Sequence, residues 1–261
     1  MSYLREMQTD DVDAVINIIA SQSEEDAEEA AEGYREVGGI VDQYVMEQDG
    51  DIIGVTGFVS PPGCDHTYWL SWTYVHKNHA NKGHGRKMLT ELLSLVRAKG
   101  GRKIFIKVSD YVDDEDGAIY AAALHLYQAL GFKIELTHKD YYTEGEAQHV
   151  LGLRLKDSNL GEAIQQENCP VQFNAIFEID ETDDAYSFGW HDEGANMFNQ
   201  DDVKIGLDQV REDEGRIVFL SFPSNYVGVS ETLLASGFLN AGVLDDYYED
   251  GIHEQHYTYR F

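Results

Sequence analysis

Hydrophobic positions along the chain switch between the spacing of strands and that of helices. Residues 3–7 read as a short strand. Thr9 then caps a helix that carries Val12, Val15, Ile16 and Ile19 on one face, and residues 23–36 form a second, strongly acidic helix. Gln43 to Glu47 and Ile52 to Val59 flank Asp49-Gly50, the composition of a tight hairpin. Pro61-Pro62-Gly63 breaks the chain before an apolar strand at 68–75. After Gly85, Met88, Leu89, Leu92, Leu93 and Val96 make one helical stripe that ends at Gly100-Gly101. Residues 103–108 alternate as a strand. Residues 118–130 predict a helix with Ile119, Ala123, Leu126 and Leu130 on one face, stopped by Gly131. Two strands follow, at 133–139 and 149–155, and then a polar connection over 156–169.

Beyond that connection the chain echoes itself. At a shift of 106, Ala129, Gly131, Phe132, Asp140, Tyr141, Tyr142, Gly145 and Arg154 fall on Ala235, Gly237, Phe238, Asp246, Tyr247, Tyr248, Gly251 and Arg260. No gap is needed from 129 to the C-terminus. Arg102 to Tyr111 also looks like Arg216 to Tyr226, and Val96-Arg97 looks like Val210-Arg211. The reading is two copies of one α/β unit, the second shortened. It gives a domain at 1–155, a linker at 156–169 and a second unit at 170–261.

Composition narrows the class. The chain has 261 residues, 43% of them apolar, enough for real cores. Its 48 acidic and 19 basic residues leave a net charge of −29, which argues against nucleic acid as a partner. The acid is spread over the whole length, as on a solvated surface, and it could also steer a cationic substrate. Cys64 and Cys169 are too few for a disulfide framework, and neither has metal-ligand spacing. The N-terminus has no apolar signal core and no run approaches the length of a membrane span, so the expectation is a cytoplasmic protein without a membrane partner.

Against this acidic background, the strand ending at Val75 runs into a glycine-bearing loop, Lys82-Gly83-His84-Gly85-Arg86-Lys87, that opens an amphipathic helix. Free backbone N–H groups gather at such a helix start and can hold phosphate. A Walker-type loop needs Gly-Lys-Ser/Thr, whereas Gly85 is followed by Arg86-Lys87-Met88. A dinucleotide fingerprint needs a third glycine where Met88 stands. The pyrophosphate loop of an acetyltransferase fits the spacing.

On these residues the first 155 positions resemble the GNAT acetyltransferases (Gcn5-related N-acetyltransferases). That family's pattern is an apolar strand ending in Val, often Pro two residues on, then Arg/Gln-x-x-Gly-x-Gly/Ala. Here the places hold Val75, Lys77, Ala80, Gly83 and Gly85, so the glycines match while the Arg/Gln and Pro places do not. A second element, Ala123-Leu-His-Leu-Tyr127-Gln-Ala-Leu-Gly131-Phe132, resembles the family's Asn-x-x-Ala-x-x-x-Tyr-x-x-x-Gly-Phe, with Tyr120 at the Asn place. The resemblance implies that Val75, Lys82, Gly83, His84, Gly85, Arg86, Lys87 and Tyr120 bind acetyl-CoA, and that Tyr127 protonates the departing thiolate. A phenol of pKa about 10 can lend that proton.

No carboxylate stands in the strand at 68–75. Asp110, Asp113, Asp114, Glu115 and Asp116 crowd the next loop, as a proton acceptor, an attraction for a cationic amine or a solvated turn. Val112 occupies the first ligand place of a calcium loop, and His76, His79 and His84 resemble no zinc site, so no metal is expected. In the second copy Leu233 falls on Tyr127, and no Gly-x-Gly separates the strand expected at 185–190 from the helix expected at 202–213. That half is expected to bind no acetyl-CoA.

The resemblance implies an α/β (α+β) GNAT fold, a mixed and mostly antiparallel twisted sheet flanked by helices, with a smaller second α/β unit. It implies an N-acetyltransferase acting on a primary amine of a small molecule or peptide, as a monomeric tandem pseudo-dimer or a homodimer. The alternative, supported by Ala80 and Tyr120, is a non-catalytic acyl-CoA-binding or regulatory protein that keeps the fold.

Overall fold

The structure is a computed structural model that describes residues 2–113, 117–157, 172–191 and 199–261. The chain divides into two compact units. The first comprises residues 1–106, 126–131 and 153–157, and the second 107–125, 132–152 and 158–261.

In the first unit β1 (Ser2–Glu6) leads to a 3-10 turn, Thr9–Asp11, and α1 (Val12–Ala20). The expected Thr9 cap is not what starts this helix. Asp11 reaches back instead, accepting the Gln8 N–H at 2.7 Å and pairing with Arg5. α2 (Glu24–Arg35) begins at Ser23, whose hydroxyl accepts the Asp26 N–H. Three of its acids, Glu24, Glu25 and Asp26, lie in the first turn, where the helix dipole favours them. β2 (Gln43–Gln48) and β3 (Asp51–Val59) form the expected hairpin, with Asp49 and Gly50 both at positive φ.

The strand expected at 68–75 is two strands. β4 (Thr67–Leu70) pairs with the end of β3, and β5 (Tyr74–Val75) pairs with its middle, at Gly54 and Val55. Residues 71–73 belong to neither strand. An apolar run shows that a segment is buried, and it is silent about which partner each end takes.

α3 (His84–Ala98) buries Met88, Leu89, Leu92, Leu93 and Val96, the stripe read from the sequence. Each such side chain contributes about 2 kcal/mol of burial. Gly54 lets this helix come close: a Cβ there would meet Tyr74 O at 3.0 Å and Met88 Sδ at 3.1 Å. β6 (Lys103–Ser109) pairs in parallel with β4, from Thr67↔Lys103 to Trp69↔Phe105. α4 (Ala121–Ala129) is shorter than the expected 118–130. Ile119 lies before it and is exposed, and the buried residue of the helix is Tyr127. The fourfold spacing of apolar residues there marked a face that contributes less to the core than one polar-tipped ring.

In the second unit β7 (Lys133–His138) and β8 (Gln148–Arg154) form an antiparallel pair. β9 (Gln172–Glu178), β10 (Ala185–His191), α5 (Gln200–Glu212), β11 (Ile217–Pro223), α6 (Val227–Ala235), β12 (Leu239–Glu249) and β13 (Ile252–Arg260) follow. The strands run β8-β7-β12-β13-β11-β10-β9, antiparallel throughout except for the parallel pair β10 and β11. Val218, Leu220 and Phe222 of β11 and Tyr257 of β13 pack on Val203, Leu207 and Val210 of α5 and on Val229 and Leu233 of α6.

Detailed local geometry recurs in the two halves. Arg102 Nε donates to Asp65 O at 3.0 Å and its N–H to His66 O at 2.8 Å, while its carbonyl accepts the Leu155 N–H. Arg216 makes the same three bonds, to Asp183 O, to Asp184 O and from Phe261. His66 and Asp184 both have φ 49°. Asp140 accepts the Gly145 N–H at 2.8 Å, and Asp246 the Gly251 N–H at 2.9 Å. No helix among the described residues is long and apolar enough to cross a membrane.

Candidate functional site

The loop between β5 and α3 is pinned at its entry by α1. Gln22 Nε2 donates to Val75 O at 2.9 Å, and Ser21 Oγ accepts the Lys77 N–H at 3.1 Å. Neither residue was singled out from the sequence, because a polar residue at the end of a helix carries no pattern that names its distant partner. Residues 77–79 form a 3-10 turn in which His76 Nδ1 accepts the Asn78 N–H. That bond places the neutral ring's proton on Nε2.

Gly83 stands at the N-cap of α3 with φ 82°, a left-handed conformation that costs other L-residues about 1–2 kcal/mol. The first helical bond is Lys87 N–H to Gly83 O. Among the described residues the backbone N–H groups of Lys82 through Arg86 find no protein acceptor. Exposed donors aligned at the positive end of a 15-residue helix are the chemistry of an anion site.

The side chains sort themselves by partner. Arg86 is exposed and makes no ion pair among the described residues. Lys82 is exposed and donates to Asn78 O at 2.7 Å. Lys87 is drawn onto Glu91 of the same helix, and Glu91 also accepts the Leu4 N–H. Lys87 therefore already has a counter-charge, whereas Arg86 is available to a ligand. His84, half-buried at the first helical position, has its pKa lowered by desolvation first and then by His79, Lys82 and Lys87. The rings of His76, His79 and His84 form a row about 6 Å apart. Among the described residues no cluster of His, Cys, Asp and Glu is placed to hold a metal ion. Between Asp65 and Glu91 the chain carries no acidic residue, although 48 of its 261 residues are acidic.

Gly85 brings two of the predicted elements together. A Cβ built on it would lie 3.4 Å from Leu126 Cδ2 and 4.0 Å from Val75 Cγ2. The residue after Leu126 is Tyr127, which is buried. Burial raises its phenol pKa to about 12, so it stays protonated at any working pH. Tyr120 stands one residue before α4 and is 38% exposed. Asp110 accepts the Ala147 N–H at 2.6 Å, and Asp113 bridges to Gly117 through both backbone bonds. Asp114, Glu115, Asp116 and Cys169 lie outside the described residues, as does most of the 156–169 connection.

A mixed sheet whose inner strand divides, and a glycine-opened helix bearing unused N–H groups, are the framework of an acyltransferase. Residues 41–134 match the Acetyltransferase (GNAT) domain. A solved GNAT-family protein from Desulfovibrio desulfuricans superposes with a TM-score of 0.52 at 23% identity, over 60% of this chain and all of its own. That likeness establishes the fold. The Salmonella typhimurium protein yncA, solved with its cofactor acetyl-CoA, gives 0.49 at 22% identity, over 62% of this chain and 99% of its own. The ribosomal-protein-S18-alanine N-acetyltransferase of Escherichia coli gives 0.46 at 20%, over 64% of this chain and 100% of its own. No curated protein matches the chain.

Proposed function

We propose that the chain is an acetyl-CoA-dependent N-acetyltransferase that acts on a primary amine of a small molecule or peptide. The observation that carries this reading is the open first turn of α3, with Leu126 and Tyr127 beside it. The residues fit the donor molecule. The N–H groups of Lys82 through Arg86 suit a pyrophosphate, Arg86 is free to meet a further phosphate, and Val75 lies at the mouth of the loop. Acetyl-CoA would supply the acyl group as a thioester. Tyr127, held protonated by its burial, would give its proton to the leaving sulfur.

Residues 1–155 act as the catalytic domain and 170–261 as a second GNAT-like unit without a cofactor loop. The recurrence of the Arg102 bonds at Arg216 supports the reading of two related units, and Leu233 at the place of Tyr127 supports their different roles. The overall charge of −29 favours cationic acceptors and supports a reading without nucleic acid. Two thiols with no disulfide framework suit the cytoplasm.

Calorimetry with acetyl-CoA, followed by release of free CoA over a panel of amines, tests the reading. Binding together with amine-dependent CoA release is expected. Failure to bind acetyl-CoA at sub-millimolar concentration would sink it, and binding without turnover on any amine would leave the regulatory alternative.

A further inference from the structure

Two hairpins of the second unit repeat each other residue by residue. β7 and β8 pair from Lys133↔Gly152 to His138↔Gln148, with an irregularity at Glu135, between Ile134 and Leu136. β12 and β13 pair from Leu239↔Thr258 to Leu244↔Glu254, with the same irregularity at Ala241, between Asn240 and Gly242. Each pair of the first hairpin recurs in the second at a shift of 106, and so does the bulge. Regular strand geometry does not impose such a match, because a bulge is an extra residue placed at one position.

The two hairpins meet edge to edge. β7 pairs antiparallel with β12, and the partners are Leu136 and Gly242. These two positions are themselves 106 apart. An antiparallel pair centred on equivalent positions has a local two-fold axis, and rotation about it exchanges β7 with β12. That is the geometry of an isologous interface between two copies of one subunit. Here both copies lie in one chain. The join also gives β7 a partner along an edge whose N–H and C=O groups would otherwise invite another strand.

The side chains at the axis break the symmetry. Leu136 is 2% exposed and lies across from a glycine. A Cβ on Gly242 would come 2.6 Å from Leu136 Cδ1, well inside the 3.5–4.0 Å at which carbon atoms rest. Gly242 also has φ 140°, a conformation that favours glycine. Close by, Glu135 Oε2 accepts the Asp245 N–H at 3.0 Å. The reciprocal bond would run from the Lys139 N–H to residue 241, and Ala241 has no side-chain acceptor.

Two copies of the first hairpin on this axis would set Leu136 against Leu136, with a Cβ where Gly242 has only a hydrogen. Two copies of the second would set glycine against glycine and lose the glutamate bond. Each hairpin therefore fits the other better than it fits itself, which excludes the wrong pairing as well as favouring the right one. We propose that β12 and β13 are the built-in partner of the β7 edge, in the place a second chain would take, and that Leu136 and Gly242 make the join one-sided, so that the protein is a monomer in solution. This inference rests on the repeat and is independent of acetyl transfer.

Sedimentation equilibrium of the full, unaltered chain tests it first, from micromolar to near-millimolar concentration, with the mass of one chain expected throughout. A double-mutant cycle then reads the join. Gly242→Ala sets a methyl group against Leu136, and Leu136→Ala removes what that methyl meets. Relief of the clash should leave the folding constant of the double variant about tenfold higher than the two single effects multiplied together. Urea midpoints should not move with protein concentration, as they would if the contact lay between chains. The proposal is overturned by a dimer mass, by a midpoint that rises with concentration, or by single effects that simply multiply.

Discussion

Tyr127 and Leu233 occupy the same turn of two nine-residue helices, 106 positions apart. Each carbonyl accepts the N–H of the residue three further on at 3.0 Å, from Leu130 and from Ser236. Both residues are buried, and each helix ends at a glycine with positive φ, 100° at Gly131 and 94° at Gly237. The same place in the helix thus holds a phenol once and a hydrocarbon once. Only the first can move a proton.

Tyr127→Phe keeps the ring and its burial and removes the hydroxyl. Steady-state kinetics with a working amine should show kcat lowered about 10²-fold, the scale of general acid catalysis, with acetyl-CoA affinity changed little. An unchanged kcat refutes the assigned proton donor.

Acetyl-CoA titrated calorimetrically should saturate at one equivalent per chain. The second half offers Leu233 in place of Tyr127 and no Gly-x-Gly before α5. Two equivalents would show that it retains a cofactor site.

The two loop glycines should separate folding from binding. Gly85 has an ordinary φ and room for a methyl group, so Gly85→Ala should leave thermal stability nearly unchanged while weakening CoA where backbone and phosphate must approach closely. Gly83 has φ 82°, and Gly83→Ala should cost about 1 kcal/mol of stability in addition. A thermal melt beside a CoA titration distinguishes them; a Gly85→Ala protein that binds normally removes the loop from the site.

His138 sets a pH dependence for stability. Desolvation foremost, with His256 and Lys107, pushes its pKa from 6.5 down to about 3. The unfolded chain therefore binds a proton there that the folded chain refuses, and stability falls as pH drops through this window. From pH 7 to pH 5 the loss should be about 2 kcal/mol by urea unfolding. His138→Phe should flatten that slope; an unaltered slope would show that His138 is not the group responsible.

Much of the chemistry is legible without coordinates because it depends on local spacing. The α3 stripe, the Asp49-Gly50 hairpin turn and the glycines at 83 and 85 each need only neighbours within a few residues, and helix period or turn conformation dictates them. The acid-free stretch between Asp65 and Glu91 is likewise a signal that a closer sequence reading can find. The match over residues 41–134 and the fold likeness bear out the family and the mixed sheet expected from those residues.

Other features depend on partners far away in the chain. The division of 68–75 into two strands is decided by β3, which pairs with both pieces. Gln22 and Ser21 reach the phosphate loop only because α1 packs there, and Gly54 matters because Met88 of α3 comes against it. The gathering of His138, Glu254, His256 and Thr258 on one face is also beyond any local pattern, since 120 residues separate the first from the last. By itself the sequence determined which helices, turns and glycines the chain would form, because backbone geometry and hydrophobic spacing act locally. Which polar side chains would be buried together, and which of their atoms would be left without a partner, was decided only when the strands paired across the sheet.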